Sequence, residues 1–165
     1  MSNINFNDYF IYDETSPSLL VNKTDRYLNP KGSPVKVQLH KGKYYTLSLK
    51  GKHQAHRVIW ELINGLIPEG LTIDHINRDG TDNRIINLRL ATSRENMLNR
   101  IQPRSSAELP PGIRFHRGTY EARIRTEGDR LGKTSKRLEV VKAWLLEMRI
   151  KLNGEFAILD GLQTT

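Results

Sequence analysis

The chain has no cysteine. Disulfides are thereby excluded, as are zinc sites built on thiolates, so any metal ion must be held by oxygen and imidazole. No stretch approaches the ~18 apolar residues of a membrane span. The N-terminal MSNINFNDYF carries acid where a secretory leader needs a basic segment, which predicts a cytoplasmic protein. Acidic side chains are outnumbered, 18 against 26 Lys and Arg, for a net charge of +8. A basic surplus of this kind favours a polyanionic partner, because neutralised phosphates release counterions. Nucleic acid fits first. An anionic membrane fits less well, since the chain has no basic amphipathic helix.

Enough remains to fold. Hydrophobic residues make up 37% of 165, sufficient for one ordinary domain or two small ones. Residues 34–49, PVKVQLHKGKYYTLSL, alternate apolar and polar side chains on both sides of Lys41-Gly42-Lys43, which predicts a hairpin. HRVIWELIN (56–64) places Val58, Ile59, Leu62 and Ile63 on one helical stripe and stops at Gly65. Leu71–Ile73 reads as a brief strand and Asn87–Leu90 as its return, with a polar loop between. Thr92 and Glu95 have capping-box spacing for a second helix running to about Arg100.

QPRSSAELPPG (102–112) has three prolines and no apolar period, which predicts a linker. Beyond it, Ile113, Phe115, Tyr120, Ala122 and Ile124 alternate around Arg117-Gly118, RLGKTSK offers a third strand, and Leu138, Val141, Leu145, Met148 and Leu152 recur at helical spacing. The spacing predicts a three-stranded sheet covered by one helix. The expectation is therefore an α+β protein with a domain at 1–101, a linker at 102–112 and a second domain at 113–165. The basic excess concentrates at 101–137, with 9 Lys and Arg against 4 Asp and Glu.

The stretch IDHINRDGTDNRIINLRL (73–90) gathers short polar side chains where strand meets loop. The carboxylate of Asp74 and the amide oxygen of Asn96, on the following helix, are hard ligands that leave most positions of a magnesium ion to water and phosphate. Such open coordination suits phosphodiester cleavage, and a neutral His75 can take a proton from water near physiological pH. A lone Asp-His pair is most often surface decoration.

Asp74-His75, Asn87-Leu88-Arg89, and Asn96 with Asn99, preceded by His56-Arg57 and GLIPEGLTI, resemble the HNH endonucleases of the phage and group I intron homing type. The resemblance covers roughly residues 9–100, since YFIYDETSPSLLVN and YYTLSLKGKHQAHR are similar to the hairpins preceding that family's core. It implies a ββα-metal fold, a metal held by Asp74 and Asn96, His75 as general base, and Asn87 as the residue bracing the loop and orienting the base. Asn83 is expected to hold the loop turn and His56 to brace the core. The implied cofactor is Mg2+, with Mn2+ as the alternative. The implied substrate is double-stranded DNA in the cytoplasm of a phage-infected host, met by a monomer or a dimer assembled on DNA. The competing class is a non-catalytic DNA-binding regulator on a lapsed nuclease fold.

GIRFHRGTYEARIR, followed by a helix and LNGEFAILD, is similar to the ethylene-response-factor type of DNA-binding domain, whose three-stranded sheet lies in the major groove. Tyr120 stands where that family has Trp, and the connection to the helix is shorter. Strand alternation then points Arg114, His116, Arg123 and Arg125 away from the helix, toward DNA. The same arginines would also suit a merely solvated sheet face. The Leu138–Leu152 stripe, Trp60 and Trp144 are expected in cores, His40 reads as an exposed strand residue, and His53 with His56 lacks the further ligands a metal site needs.

Overall fold

The first hairpin pairs β1 (Phe10–Tyr12) with β2 (Leu20–Asn22) antiparallel and buries Phe10 and Leu20. In this computed structural model, which describes residues 4–99, 109–126, 128–157 and 162, the next two hairpins turn on a lysine followed by glycine. Lys41-Gly42 joins β3 (Gln38–His40) to β4 (Tyr44–Ser48), and Lys50-Gly51 joins β4 to β5 (Lys52–Gln54). All four of these turn residues have positive φ. Two such residues in succession give a tight turn whose twist matches that of antiparallel strands, and glycine enters the region without a Cβ clash. The expected hairpin at 34–49 is thus present, with a third strand added.

α1 (Ala55–Asn64) follows directly and ends at Gly65, whose amide donates to Glu61 O. It packs on β1 and β4 through Ala55, His56, Val58 and Ile59. Ile63 departs from the expected stripe, at 44% exposure. The inward face centres on Ala55, Val58, Ile59 and Leu62, so Ile63 falls at its edge. β6 (Leu71–His75) pairs antiparallel with β7 (Leu88–Thr92), setting Asp74 opposite Arg89 and His75 opposite Leu88. Ile73 and Leu88 join the same core as Phe10, Leu20, Leu47, Val58 and Ile59. α2 (Ser93–Leu98) comes next.

The chain divides into two compact units, Met1–Ser93 and Arg94–Thr165. All of α2 beyond its first residue is therefore counted with the second unit, and the expected linker at 102–112 falls largely outside the described residues. In the second unit, β8 (Ile113–His116), β9 (Thr119–Arg125) and β10 (Arg130–Ser135) form an antiparallel sheet with β9 central. α3 (Leu138–Asn153) packs on β9 and β10, and Val141 and Leu145 bury against Ile113, Ala122 and Leu162. Two expected core positions are corrected. Phe115 is 56% exposed at the turn end of β8, where it meets the Tyr120 ring, and Leu152 is 41% exposed on the last turn of α3. Among the described residues, no helix is long and apolar enough to cross a membrane.

Candidate active site

The loop from Ile76 to Asn87 is held by its own short polar side chains. Asn87, 6% exposed, accepts from Asn77 N through Oδ1, and its Nδ2 donates to Asn77 Oδ1 at 3.0 Å and Asp82 O at 2.7 Å. Asn77 also takes the Asp79 amide and donates to Asp82 Oδ2. Asp79 in turn accepts from both Thr81 N and Thr81 Oγ1. The Arg84 guanidinium forks onto Asp82 and, through these hydrogen bonds, pulls the Asp82 carboxyl down to about 2. Asn and Asp close such turns because a one-carbon stem lets the side chain mimic a backbone partner. Ile76 N donates to Asn87 O, continuing the pairing of β6 and β7 into the loop.

His75, at the end of β6, is 6% exposed, and its Nε2 lies 3.0 Å from Asn83 Oδ1. An amide oxygen only accepts, so Nε2 carries the ring proton and Nδ1 keeps the lone pair. The Asp74 carboxylate is equally buried, and Oδ2 accepts from Arg89 Nε and Arg89 Nη2, both at 2.9 Å. A two-pronged guanidinium gives the buried carboxylate two charge-assisted hydrogen bonds in place of water.

Two further rings surround His75. His56, in the first turn of α1, meets it edge-on with centroids 5.0 Å apart at 83°, and Tyr44 of β4 stacks on it at 5.9 Å and 29°. Tyr44 and His56 also touch, at 5.5 Å. His56 is 5% exposed, and its Nδ1 has no hydrogen-bond partner among the described residues. Burial, reinforced by the neighbouring His75 and Arg57, pushes its pKa down to about 3. His56 is thus a neutral imidazole at any working pH.

The first unit accordingly brings together His56, Asp74, His75, Asn83 and Asn87. Asn96 lies on α2, in the chain of the second unit, so the first unit contributes one of the two expected metal ligands. Among the described residues, no group of three or more His, Cys, Asp and Glu could enclose a metal ion. Asp74 is a hard oxygen donor, which fits an open site completed by amide, water and substrate phosphate.

On the second unit's sheet, the register puts Arg114, Glu121 and Thr134 on one face, with Arg123 beside them and Arg125 opposite Arg130. The exposed arginine side chains lie opposite the face that buries Ile113 and Ala122, as do the half-buried Glu121 and the exposed His116. Glu121 accepts from Arg114 Nε at 2.8 Å and from Arg123 Nε, and these bonds hold its carboxyl below the usual range.

Sequence reasoning assigned no role to Tyr44, Arg89 or Glu121. The signal for Arg89 was present: two strands flanking a loop put Asp74 and Arg89 in cross-strand register once the pairing is fixed. Nothing in the local sequence marks Tyr44, which reaches His75 only through tertiary packing.

A family profile described as HNH endonuclease matches residues 53–98, the span holding α1, β6, the polar loop, β7 and α2. The chain is 35% identical over 104 residues to Protein 3.8 of Escherichia phage T7, covering 62% of this chain and 86% of that protein. It is 33% identical over 111 residues to an uncharacterised HNH endonuclease of Acanthamoeba polyphaga mimivirus, covering 66% of this chain and about half (51%) of that protein. No solved structure matches. With the buried Asp-His pair and the asparagine-braced loop inside the matched span, residues 53–98 form an HNH endonuclease domain.

Proposed function

We propose that this protein is a divalent-metal-dependent endonuclease of the homing type that hydrolyses phosphodiester bonds of double-stranded DNA. The observation carrying this reading is the His75 imidazole, bonded at Nε2 by Asn83 beside the buried, Arg89-paired Asp74. Asp74 offers one oxygen to the ion, and the resemblance assigns a second ligand to Asn96. When bound, magnesium or manganese stabilises charge on the phosphate and on the departing 3′ oxygen. His75 Nδ1 takes a proton from water, the hydroxide attacks phosphorus, and the bond to the 3′ oxygen breaks, its electron pair leaving on that oxygen, which then takes a proton from solvent water. A 5′-phosphate and a 3′-hydroxyl remain. Asn87 serves this step indirectly, by holding the loop that carries Asn83.

The exposed arginines of the second unit, together with His116, form the proposed DNA-binding face, resembling the ethylene-response-factor type of sheet. A monomer with one such site breaks one strand per encounter, and two copies assembled on DNA break both. The site of action is the host cytoplasm. The test is conversion of supercoiled plasmid to nicked or linear form, with magnesium or with EDTA, by wild type, His75→Ala and Asp74→Ala. Activity confined to wild type with magnesium is expected. A wild-type protein that retards the plasmid without breaking it favours the DNA-binding regulator instead.

A further inference from the structure

Gly80 occupies a place in the polar loop that no side chain can share. A Cβ built there would stand 2.6 Å from the Tyr44 ring, and closer still to Lys43 O. The Gly80 φ lies outside the left-handed region, so backbone conformation is not what requires glycine here. The requirement is the joint approach of the Lys43 carbonyl and the Tyr44 ring. That ring then stacks on His75, which also meets the His56 ring and Asn83.

We propose that Tyr44 is a positioning residue for the base, seated against His75 by the bare Cα of Gly80, and that with His56 it fixes the plane in which His75 presents Nδ1. A hydrogen bond at Nε2 fixes one end of an imidazole but not its plane. One ring stacked at 29° and another edge-on at 83° constrain that plane, and centroid distances of 5.9 and 5.0 Å are in the range where such packing holds an orientation. The three contacts come from distant stretches of sequence, β4, α1 and the loop, so the ring plane is set only when all have assembled. The inference rests on His75 being the base, but its structural half is independent of turnover.

The test compares full-length wild type with Gly80→Ala, Tyr44→Ala and Tyr44→Phe. Three quantities are read: single-turnover nicking in magnesium, duplex affinity in EDTA, and the 15N imidazole spectrum of His75 without DNA. Gly80→Ala and Tyr44→Ala are expected to slow nicking by about 10- to 100-fold while duplex affinity stays within about twofold, the pattern of a misaligned group. The same two variants should turn a single Nε2–H tautomer into a mixture. Tyr44→Phe, which keeps the ring, should restore the rate lost in Tyr44→Ala to within about threefold of wild type. Wild-type rates and tautomer in Gly80→Ala overturn the proposal, as does a loss of affinity as large as the loss of rate. If wild type does not nick at all, the base assignment falls, and the His75 spectrum of Gly80→Ala still decides the clamp.

Discussion

Asn83 Oδ1 stands 3.0 Å from His75 Nε2, and an amide oxygen at that place favours the ring proton on Nε2. Removing the acceptor frees the imidazole to exchange tautomers, and the misplaced tautomer cannot act at Nδ1. Asn83→Ala is therefore expected to slow single-turnover plasmid nicking by about 10- to 100-fold, with duplex affinity in EDTA unchanged. Nicking at the wild-type rate would mean that the ring is oriented by other contacts.

Most of the elements could be read in the sequence because their signals are local. Lys41-Gly42 and Arg117-Gly118 mark hairpins through positive φ, and Leu138 to Leu145 marks α3 through its period. The polar loop also announced itself, since Asn77, Asp79, Asp82 and Asn87 bond within a short length of chain. What could not be read is what rests on pairing and packing between distant segments. Phe115 has the alternation of a core residue yet sits past the end of the covered surface. Arg89 on Asp74 depends on strand register, and Tyr44 on His75 depends on a glycine in another element.

The Asp74–Arg89 pair is buried on both sides, with side chains 6% and 11% exposed. Truncating the cation leaves a carboxylate in a poorly solvated place. Arg89→Leu should lower unfolding free energy by about 3–5 kcal/mol, read from urea denaturation. The double variant Asp74→Asn with Arg89→Leu should recover much of that loss, because no uncompensated charge remains. Equal destabilisation in the single and double variants would place the cost in lost packing instead.

His56 links stability to pH with a definite sign. Its folded pKa of about 3 lies below the ordinary 6.5, so between those values the unfolded chain holds the extra proton. The contribution of the neutral ring is complete above pH 6.5 and erodes as pH falls toward 3, at up to about 1.4 kcal/mol per pH unit. The Asp82 carboxyl, held at about 2 against an ordinary 3.8 by Arg84, adds a further loss only in stronger acid. The urea midpoint of wild type should thus decline from pH 6.5 to 4.5, and His56→Phe should flatten that decline. Parallel curves for the two proteins would show that burial of His56 does not drive it.

Glu121 divides its carboxylate between Arg114 and Arg123 on the face proposed to meet DNA. Both arginines are more than half exposed, at 56% and 63%, so the pairs contribute little to stability and act chiefly on how the guanidiniums are presented. Neutralising the carboxylate removes a charge that phosphate would meet and frees both cations for backbone contacts. Glu121→Gln should therefore tighten binding to unrelated duplex at low salt and steepen the dependence of log affinity on log salt by about one unit per added phosphate contact. If these arginines read base edges when correctly splayed, the same change should also narrow the gap between cognate and unrelated duplex. Fluorescence anisotropy across a salt series measures both quantities. An unchanged slope would remove this face from the DNA contact, leaving the ion pairs as ordinary surface chemistry.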